Sequence, residues 1–149
     1  MKKALFLFGI ICSIFCFSQK NQAKNPVYTH ISEIPNYAVL KTRLKLDDVA
    51  VKADQAPEFP GGMALFKRLF TEKMDNVELK NNQKLDTRIY FIVEKDGYIR
   101  NVVALGSDKK HTEAAELGLK RVFIRWKPAM IGDKKVRYLY TFPLTTKKY

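Results

Sequence analysis

Residues 84–105 read KLDTRIYFIVEKDGYIRNVVAL and contain two runs of alternating apolar and polar side chains on either side of Asp96-Gly97. Asp-Gly between two such runs is a strong signal of a β-hairpin, because glycine adopts the positive φ that tight turns require. The stretch therefore predicts two antiparallel strands joined by a turn at Asp96 and Gly97. The rest of the fold must cover this hairpin, since an isolated one is marginally stable in water.

The first strand of this hairpin has one apolar face and one mixed face. Ile89, Phe91 and Val93 point to one side, where helices are expected to pack. Tyr90 and Ile92 point to the other side, and the sequence alone does not assign a cover to them. In the returning strand, the apolar phase changes between Ile99 and Val102, which predicts a β-bulge near Arg100-Asn101.

Two amphipathic helices and a last strand complete the expected fold. Apolar side chains recur at steps of three and four residues over Met63–Met74 and over Thr112–Arg125, where the stripe includes Phe123 and Trp126. Trp126 is assigned to core packing. The order helix, strand, strand, helix, strand predicts an α+β two-layer sandwich. Its antiparallel three-stranded sheet would carry both helices on one face.

The last strand is predicted over Val136–Thr146, where apolar residues alternate with polar ones. Pro143 lies within it and has no backbone N–H group to donate to a neighbouring strand. We therefore expect this strand to be a sheet edge at that end.

The N-terminus has the pattern of a secretory signal peptide. Lys2 and Lys3 precede the apolar run Ala4–Phe17, and Ser18 supplies a small residue for cleavage. A membrane-spanning helix needs about 20 apolar residues, so the run is short for an anchor. We predict a signal peptide over residues 1–18 and a periplasmic or exported protein. Retention of the segment as an anchor is the alternative.

Residues 19–54 are predicted to form a tether or arm, because they are largely polar and contain prolines without a clear period. Partial alternation over Tyr37–Ala53 predicts one or two short strands there, which would add an edge to the sheet. The folded domain is expected over residues 55–149.

The residues that could carry catalysis or metal binding are few and scattered. Cys12 and Cys16 both lie in the predicted signal peptide, so the mature chain has no thiol. His30 and His111 do not form an H-x-x-x-H pair, and no nucleophile motif occurs. We therefore predict that the protein is not an enzyme and uses no cofactor and no metal.

The net charge limits the classes of partner. The chain carries +12, which falls to +10 when Lys2 and Lys3 are removed with the signal peptide. An exported basic protein meets anionic envelope polymers such as peptidoglycan, and no nucleic acid partner is expected. The lysines are scattered rather than clustered, so a solvated basic surface explains them as well.

Several motifs, in order, resemble a known family. They are PEFPGG at Pro57–Gly62, VEKDGYIRNV at Val93–Val102, WKPA at Trp126–Ala129 and VRYLYTFPL at Val136–Leu144. Together they resemble the C-terminal domain of TonB-type energy transducers, in its Bacteroidetes-type variant, over about residues 55–147. The resemblance implies an αββαβ domain whose last strand binds the TonB box of an outer-membrane transporter by strand addition.

The resemblance also assigns roles to residues. The structural motif would comprise Pro57, Pro60, Gly61, Gly62, Asp96, Gly97, Trp126 and Pro128. The edge strand would bind its partner through Arg137, Tyr138, Leu139, Tyr140 and Thr141. For Tyr138 and Tyr140, a core position facing the helices is the alternative.

This chain differs from a full-length transducer because it has no long proline-rich spacer. The leading hypothesis is a periplasmic TonB-like module that binds a partner protein in or beside TonB-dependent transport across the outer membrane. The alternatives are an envelope-polymer binder, a structural envelope subunit, and a short anchored energy transducer if the N-terminal segment is retained. Membrane contact is expected only through that segment.

Overall fold

The computed structural model of the protein describes residues 28–148. The predicted signal peptide and the first part of the predicted arm, residues 19–27, lie outside the described residues. The helices are a short 3-10 turn at Ile31–Glu33, α1 (Tyr37–Arg43), α2 (Gly62–Lys73) and α3 (Lys109–Lys120). The strands are β1 (Val49–Ala50), β2 (Lys84–Val93), β3 (Ile99–Gly106), β4 (Ala129–Ile131) and β5 (Lys134–Lys147).

The strands form a mixed sheet in the order β1-β5-β2-β3, with β4 paired to the start of β5. The strand β2 lies antiparallel to both β3 and β5, and its register with β5 runs unbroken from Lys84↔Lys147 to Val93↔Tyr138. The short strand β1 is parallel to β5. The protein is therefore an α+β fold, as predicted. No helix within residues 28–148 has the length and apolar composition needed to cross a bilayer.

The predicted hairpin is confirmed. The Gly97 N–H group donates to the Glu94 carbonyl at 2.8 Å, and the Glu94 N–H group donates to the Tyr98 carbonyl at 3.0 Å. The loop residues are Lys95, Asp96 and Gly97, and only Gly97 has a positive φ, at 85°. The connection is thus a three-residue loop that ends in a left-handed glycine, a common hairpin geometry.

The predicted bulge in β3 is also confirmed. Tyr90 pairs with Val103 and Ile92 pairs with Arg100, so two steps along β2 match three steps along β3. Asn101 lies within the extra step and has a φ of 54°. Asparagine tolerates this left-handed conformation better than most residues, which explains why the irregularity falls there.

The helix α2 lies close to its predicted bounds, but α3 does not. The helix α3 begins at Lys109 rather than at Thr112, and Asp108 caps it, because the Asp108 carboxylate accepts the His111 N–H group at 2.8 Å. The helix ends at Lys120, and the side chain of Phe123 is 84% exposed. The predicted continuation of the helix and its apolar stripe to Phe123 is therefore wrong. The chain leaves the helix because Trp126 bonds to the hairpin loop, with its N–H group 2.8 Å from the Gly97 carbonyl.

The helices α2 and α3 cover one face of the sheet. Ile89, Phe91 and Val93 are fully buried in this core, as the alternation predicted. Trp126 lies at its centre, with its ring 5.1 Å from the Phe66 ring and 5.7 Å from the Phe91 ring. The assignment of Trp126 to core packing is confirmed.

The N-terminal segment covers the opposite face. Tyr90 and Ile92 are fully buried there, against a second cluster that includes Ile34, Leu40 and Leu44. The expected layout of three strands with two helices on one face is therefore incomplete, because α1 and the residues around it add a layer on the other face. The mixed strand face needs this cover, since it places an aromatic and a β-branched side chain side by side.

The described part of the predicted arm thus packs on the sheet. Residues 37–43 form α1 rather than a strand, and a single two-residue strand, Val49–Ala50, follows. This strand adds to the sheet beside β5, as the partial alternation predicted. Leu40 is fully buried on the inner side of α1, and this contact favours the helix over an extended chain.

Candidate peptide-binding edge of strand β5

The strand β5 has two different edges. Its inner edge pairs with β2 from Tyr138 to Lys147. On the other side, β1 pairs with Arg137 and Tyr138 and then turns away. From Thr141 to Lys147, no backbone group between residues 28 and 148 pairs with this outer edge. Among the described residues, the C-terminal half of β5 is therefore a free sheet edge, as Pro143 indicated.

The hairpin loop determines which backbone groups of β5 face outward. Because the Glu94 N–H group bonds to Tyr98, the even residues of β2 direct their backbone groups to β3 and the odd residues direct theirs to β5. Even-numbered residues of β5 then pair with β2, and odd-numbered residues face outward. The bond from the Lys148 N–H group to the Gln83 carbonyl, at 3.1 Å, agrees with this phase.

The outer edge therefore offers N–H groups at Thr141, Thr145 and Lys147. It offers carbonyl oxygens at the same residues and at Pro143. Proline occupies an outward position, where its missing N–H group removes no bond to β2. An extended chain that pairs with this edge would meet backbone groups at every second residue.

A groove runs beside the start of the free edge. It has a volume of about 230 Å³. Its lining residues are Tyr28, Ile34, Val51 and Ala56 from the N-terminal part of the domain, and Tyr138, Leu139, Tyr140 and Thr141 from β5. The groove is smaller than a typical site for a drug-sized ligand and suits one or two side chains of a peptide.

Four of the five residues predicted to bind the partner line this groove, but they face different sides of the sheet. Leu139 is buried among the N-terminal segment, and Tyr140 packs on the helical side, with its ring 5.3 Å from the Phe91 ring. Burial raises the pKa of the Tyr138 and Tyr140 phenols above their ordinary value. Tyr140 therefore takes the core position that was the alternative for it.

Arg137 is the fifth residue predicted to bind the partner, and its guanidinium is already engaged in hydrogen bonds within the protein. Its guanidinium donates to both carboxylate oxygens of Glu94, at 2.8 and 3.0 Å. It also donates to the carbonyl oxygens of Lys45, at 3.1 Å, and of Asp47. The hydrogen bonds to Glu94 raise the pKa of Arg137 above its ordinary value. This side chain holds the N-terminal segment against the hairpin.

Thr141 contributes an unusual polar atom beside the groove. Its hydroxyl oxygen is buried and has no hydrogen-bond partner within residues 28–148. Buried polar atoms in folded proteins are usually paired, because leaving one unpaired costs free energy.

The opposite edge of the sheet, along β3, is partly covered. The Glu116 carboxylate of α3 accepts the Ala104 N–H group at 2.9 Å and is paired with Arg43 of α1 at 2.8 Å. The bulge at Asn101 further interrupts this edge. The Glu116 side chain, held by Arg43, thus covers part of the β3 edge, whereas the outer edge of β5 from Thr141 has no such cover among the described residues.

The residues of the predicted structural motif lie in three connected segments, and the ring of Trp126 lies 5.5 Å from that of Tyr140. Glu58 forms two backbone bonds with Lys127, which joins the PEFPGG segment to the WKPA segment. Gly61 and Gly62 both have positive φ values, 82° and 81°, at the start of α2. Pro57 is buried, and Pro60 is exposed before α2. Asp96 and Gly97 form the hairpin loop, Trp126 fills the core, and Pro128 precedes β4.

His111 is fully buried away from the groove. Its Nδ1 lies 2.7 Å from the Thr87 hydroxyl and its Nε2 lies 2.9 Å from the Thr146 hydroxyl. Burial lowers the pKa of this imidazole below its ordinary value, and the nearby Asp108 and Asp86 oppose the shift. Within the described residues, no cluster of three or more His, Cys, Asp and Glu side chains could hold a metal ion.

The N-terminal residues that line the groove were not predictable from sequence patterns. Tyr28 and Ala56 lie in irregular segments without a period, and Ile34 follows the short 3-10 turn. The hydrophobicity of Ile34 and Val51 was the only signal available. Comparison of the sequence with protein-family models and with curated proteins found no match.

Proposed function

We propose that this protein is a peptide-binding module of the cell envelope that takes an extended partner segment as an added strand on the outer edge of β5. The observation that carries the proposal is the row of outward backbone groups from Thr141 to Lys147, which no other segment of residues 28–148 pairs with and which starts beside the groove. Strand addition uses such groups for affinity and neighbouring pockets for selectivity.

The motifs that resemble the TonB C-terminal domain support the choice of partner. The order α2, β2, β3, α3, β5 corresponds to the αββαβ arrangement that the resemblance implies, with α1, β1 and β4 as additions. We propose that the natural partner is an exposed N-terminal segment of an outer-membrane transporter, equivalent to a TonB box.

The expected affinity is modest. Each backbone hydrogen bond contributes about 1 kcal/mol net, and ordering the peptide opposes this gain. Three N–H groups and four carbonyls are available on the free edge. The dissociation constant is therefore expected on the order of 10–100 μM, which suits a partner that is bound and released repeatedly.

The test is an NMR titration of the mature, ¹⁵N-labelled protein with seven-residue peptides from transporter plug segments. Amide signals of Thr141, Thr145 and Lys147 should shift and gain protection from hydrogen exchange, and a scrambled peptide should have a weaker effect. N-methylation of the bound peptide, one residue at a time, should abolish binding at every second position. Absence of shifts along β5 with all peptides would refute the proposal.

Two proline variants distinguish the loss of a backbone group needed for peptide binding from the loss of one needed for folding. Thr141→Pro removes one outward N–H group and should weaken peptide binding at least tenfold while the domain stays folded. Leu144→Pro removes an inward N–H group that bonds to β2, so this matched control should unfold the domain. A dimer of the mature protein in light scattering, lost in Thr141→Pro, would instead indicate that a second copy occupies the edge and that the protein is a structural subunit.

A further inference from the structure

A second exposed surface lies after α3 and is independent of the β5 edge. Phe123 is 84% exposed, more than any other large apolar side chain among the described residues. Its ring lies 5.7 Å from that of Tyr98, and both Tyr98 and Ile124 are 36% exposed. We call Tyr98, Phe123 and Ile124 the aromatic patch. Such exposed apolar clusters usually mark an interaction site.

Basic residues flank the aromatic patch in the sequence. The stretch Gly118–Pro128 reads GLKRVFIRWKP and contains four cations, Lys120, Arg121, Arg125 and Lys127, with no acidic residue. Near Tyr98, the carboxylates of Glu94 and Asp96 are both paired with arginines, Arg137 and Arg100 respectively. Two of the four cations have acidic neighbours: Arg121 bonds to Asp75 at 2.6 Å, and Lys120 lies 3.9 Å from the Glu116 carboxylate. The mature chain nevertheless remains strongly basic, at +10 after removal of Lys2 and Lys3 from the +12 of the full sequence.

The protein holds this loop in place. Val122 and Trp126 are buried on either side of Phe123, and the Trp126 N–H group bonds to the hairpin loop. The Arg125 side chain donates to the Asp96 carbonyl at 2.7 Å. The buried residues Val122 and Trp126 therefore fix the backbone on both sides of Phe123, and the Phe123 side chain points into solvent.

We propose that the aromatic patch and its cations bind the surface of an anionic lipid bilayer. Phe123 and Ile124 would enter the headgroup region, Tyr98 would lie at the interface, and the cations would contact lipid phosphates. Tyr98, Phe123 and Ile124 line a shallow groove of about 220 Å³ beside β3. A bilayer fits better than an acidic peptide held in this groove, because Phe123 is 84% exposed and a ligand of that size would leave most of its ring uncovered. This contact does not require the N-terminal segment, in contrast to the expectation from sequence.

The position of the patch leaves the proposed peptide site free. Tyr98 immediately precedes β3, which lies at the opposite edge of the sheet from the free edge of β5. A membrane-bound molecule would therefore present β5 on another side. The proposal does not depend on peptide binding, and the failure of one proposal would leave the other standing.

The experiment is co-sedimentation of the mature protein with vesicles of phosphatidylcholine, with and without 30% phosphatidylglycerol. Binding is expected only to the anionic vesicles and should fall as salt is raised. Phe123→Ser should lower the partition coefficient at least tenfold. Lys120→Gln with Lys127→Gln should lower it about 25-fold, since each basic residue near an anionic surface contributes roughly fivefold.

Val39→Ala is the matched control, because Val39 is a 44% exposed apolar residue on α1, which packs on the other face of the sheet. It should bind vesicles like the unchanged protein. Phe123→Trp adds a reporter: its fluorescence should shift to the blue and be quenched by brominated lipid. Circular dichroism melts should show that the variants are folded, since Phe123 contributes little to the core.

Two results would overturn the proposal. Equal vesicle binding by Phe123→Ser and the unchanged protein would show that the patch does not insert. Absence of vesicle binding, together with NMR shifts at Tyr98 and Ile124 on adding polyglutamate, would identify the patch as a site for an acidic protein instead.

Discussion

The backbone of Trp126 bonds directly to the hairpin loop at Gly97. The Trp126 N–H group donates to the Gly97 carbonyl at 2.8 Å, and a Cβ atom placed on Gly97 would clash with the Trp126 carbonyl oxygen. The turn of the hairpin and the central tryptophan of the core therefore form one unit. The glycine is needed both for its φ of 85° and for this close approach.

Gly97→Ala should therefore destabilise the protein strongly. The new methyl group meets backbone rather than a movable side chain, and the positive φ adds strain, so a loss of about 3 kcal/mol in unfolding free energy is expected. Urea denaturation measures it. Gly132→Ala is the control: Gly132 has a φ of 54° but open space around it, so about 1 kcal/mol is expected. Equal losses would show that the contact with Trp126 is unimportant.

Arg137→Met should release the N-terminal segment from the sheet. It leaves the Glu94 carboxylate, which is only 15% exposed, without its partner, and removes bonds to two carbonyls of the segment. A loss of about 2 kcal/mol is expected. Hydrogen exchange should rise in α1. Arg100→Met breaks a pair with Asp96 that is about half exposed, so it should cost under about 1 kcal/mol.

The stability of the protein should fall as the pH drops below about 6.5. The pKa of His111 is lowered in the folded state from an ordinary value of 6.5, so the unfolded chain takes up a proton first. The contribution is complete above pH 6.5 and declines below it, by up to about 1.4 kcal/mol per pH unit.

Urea titrations between pH 7.5 and 5 measure this decline. It should persist in His30→Gln, which removes the exposed histidine, and disappear in His111→Gln. Asp75, Asp86 and Asp96 also have lowered pKa values, because of hydrogen bonds to Arg121, Lys84 and Arg100 respectively, but they act near or below pH 3.8. A flat profile between pH 7.5 and 5 would contradict the assignment.

Thr141→Val should stabilise the protein by about 1 kcal/mol, because the buried hydroxyl has no partner within the described residues. Thr87→Val is the matched control on β2. Its hydroxyl bonds to His111 at 2.7 Å, so the same change should cost about 1–2 kcal/mol. Thermal unfolding of the two variants should move in opposite directions. A loss of stability in Thr141→Val would show that the hydroxyl is paired in solution.

Local patterns predicted the elements whose cause is local. The Asp-Gly turn, the phase change at Asn101, the period of α2 and the outward Pro143 each depend on a few neighbouring residues. Turn chemistry and side-chain periodicity act over such short distances, so the sequence alone was sufficient for them. The end of α3 was mispredicted, because a distant contact with Gly97 overrides helix periodicity there.

The candidate site depended on contacts between distant parts of the chain. The periodicity of β5 placed Tyr138 and Thr141 on a strand, but it did not show that β1 leaves the strand after Tyr138. Nor did it show that the guanidinium of Arg137 is used internally or that Tyr28 and Ala56 form a wall. These residues come from irregular segments, whose positions follow from packing rather than from a repeat.

The hairpin, the α+β class and the core face at Ile89, Phe91 and Val93 thus follow from sequence patterns. The cover of the second sheet face by the N-terminal segment and the length of β5 that lacks a partner among the described residues emerge in the folded chain. Turns and periodic faces are set by local backbone preferences and side-chain alternation. A free edge, in contrast, is defined by where another segment stops pairing, and that depends on the whole fold.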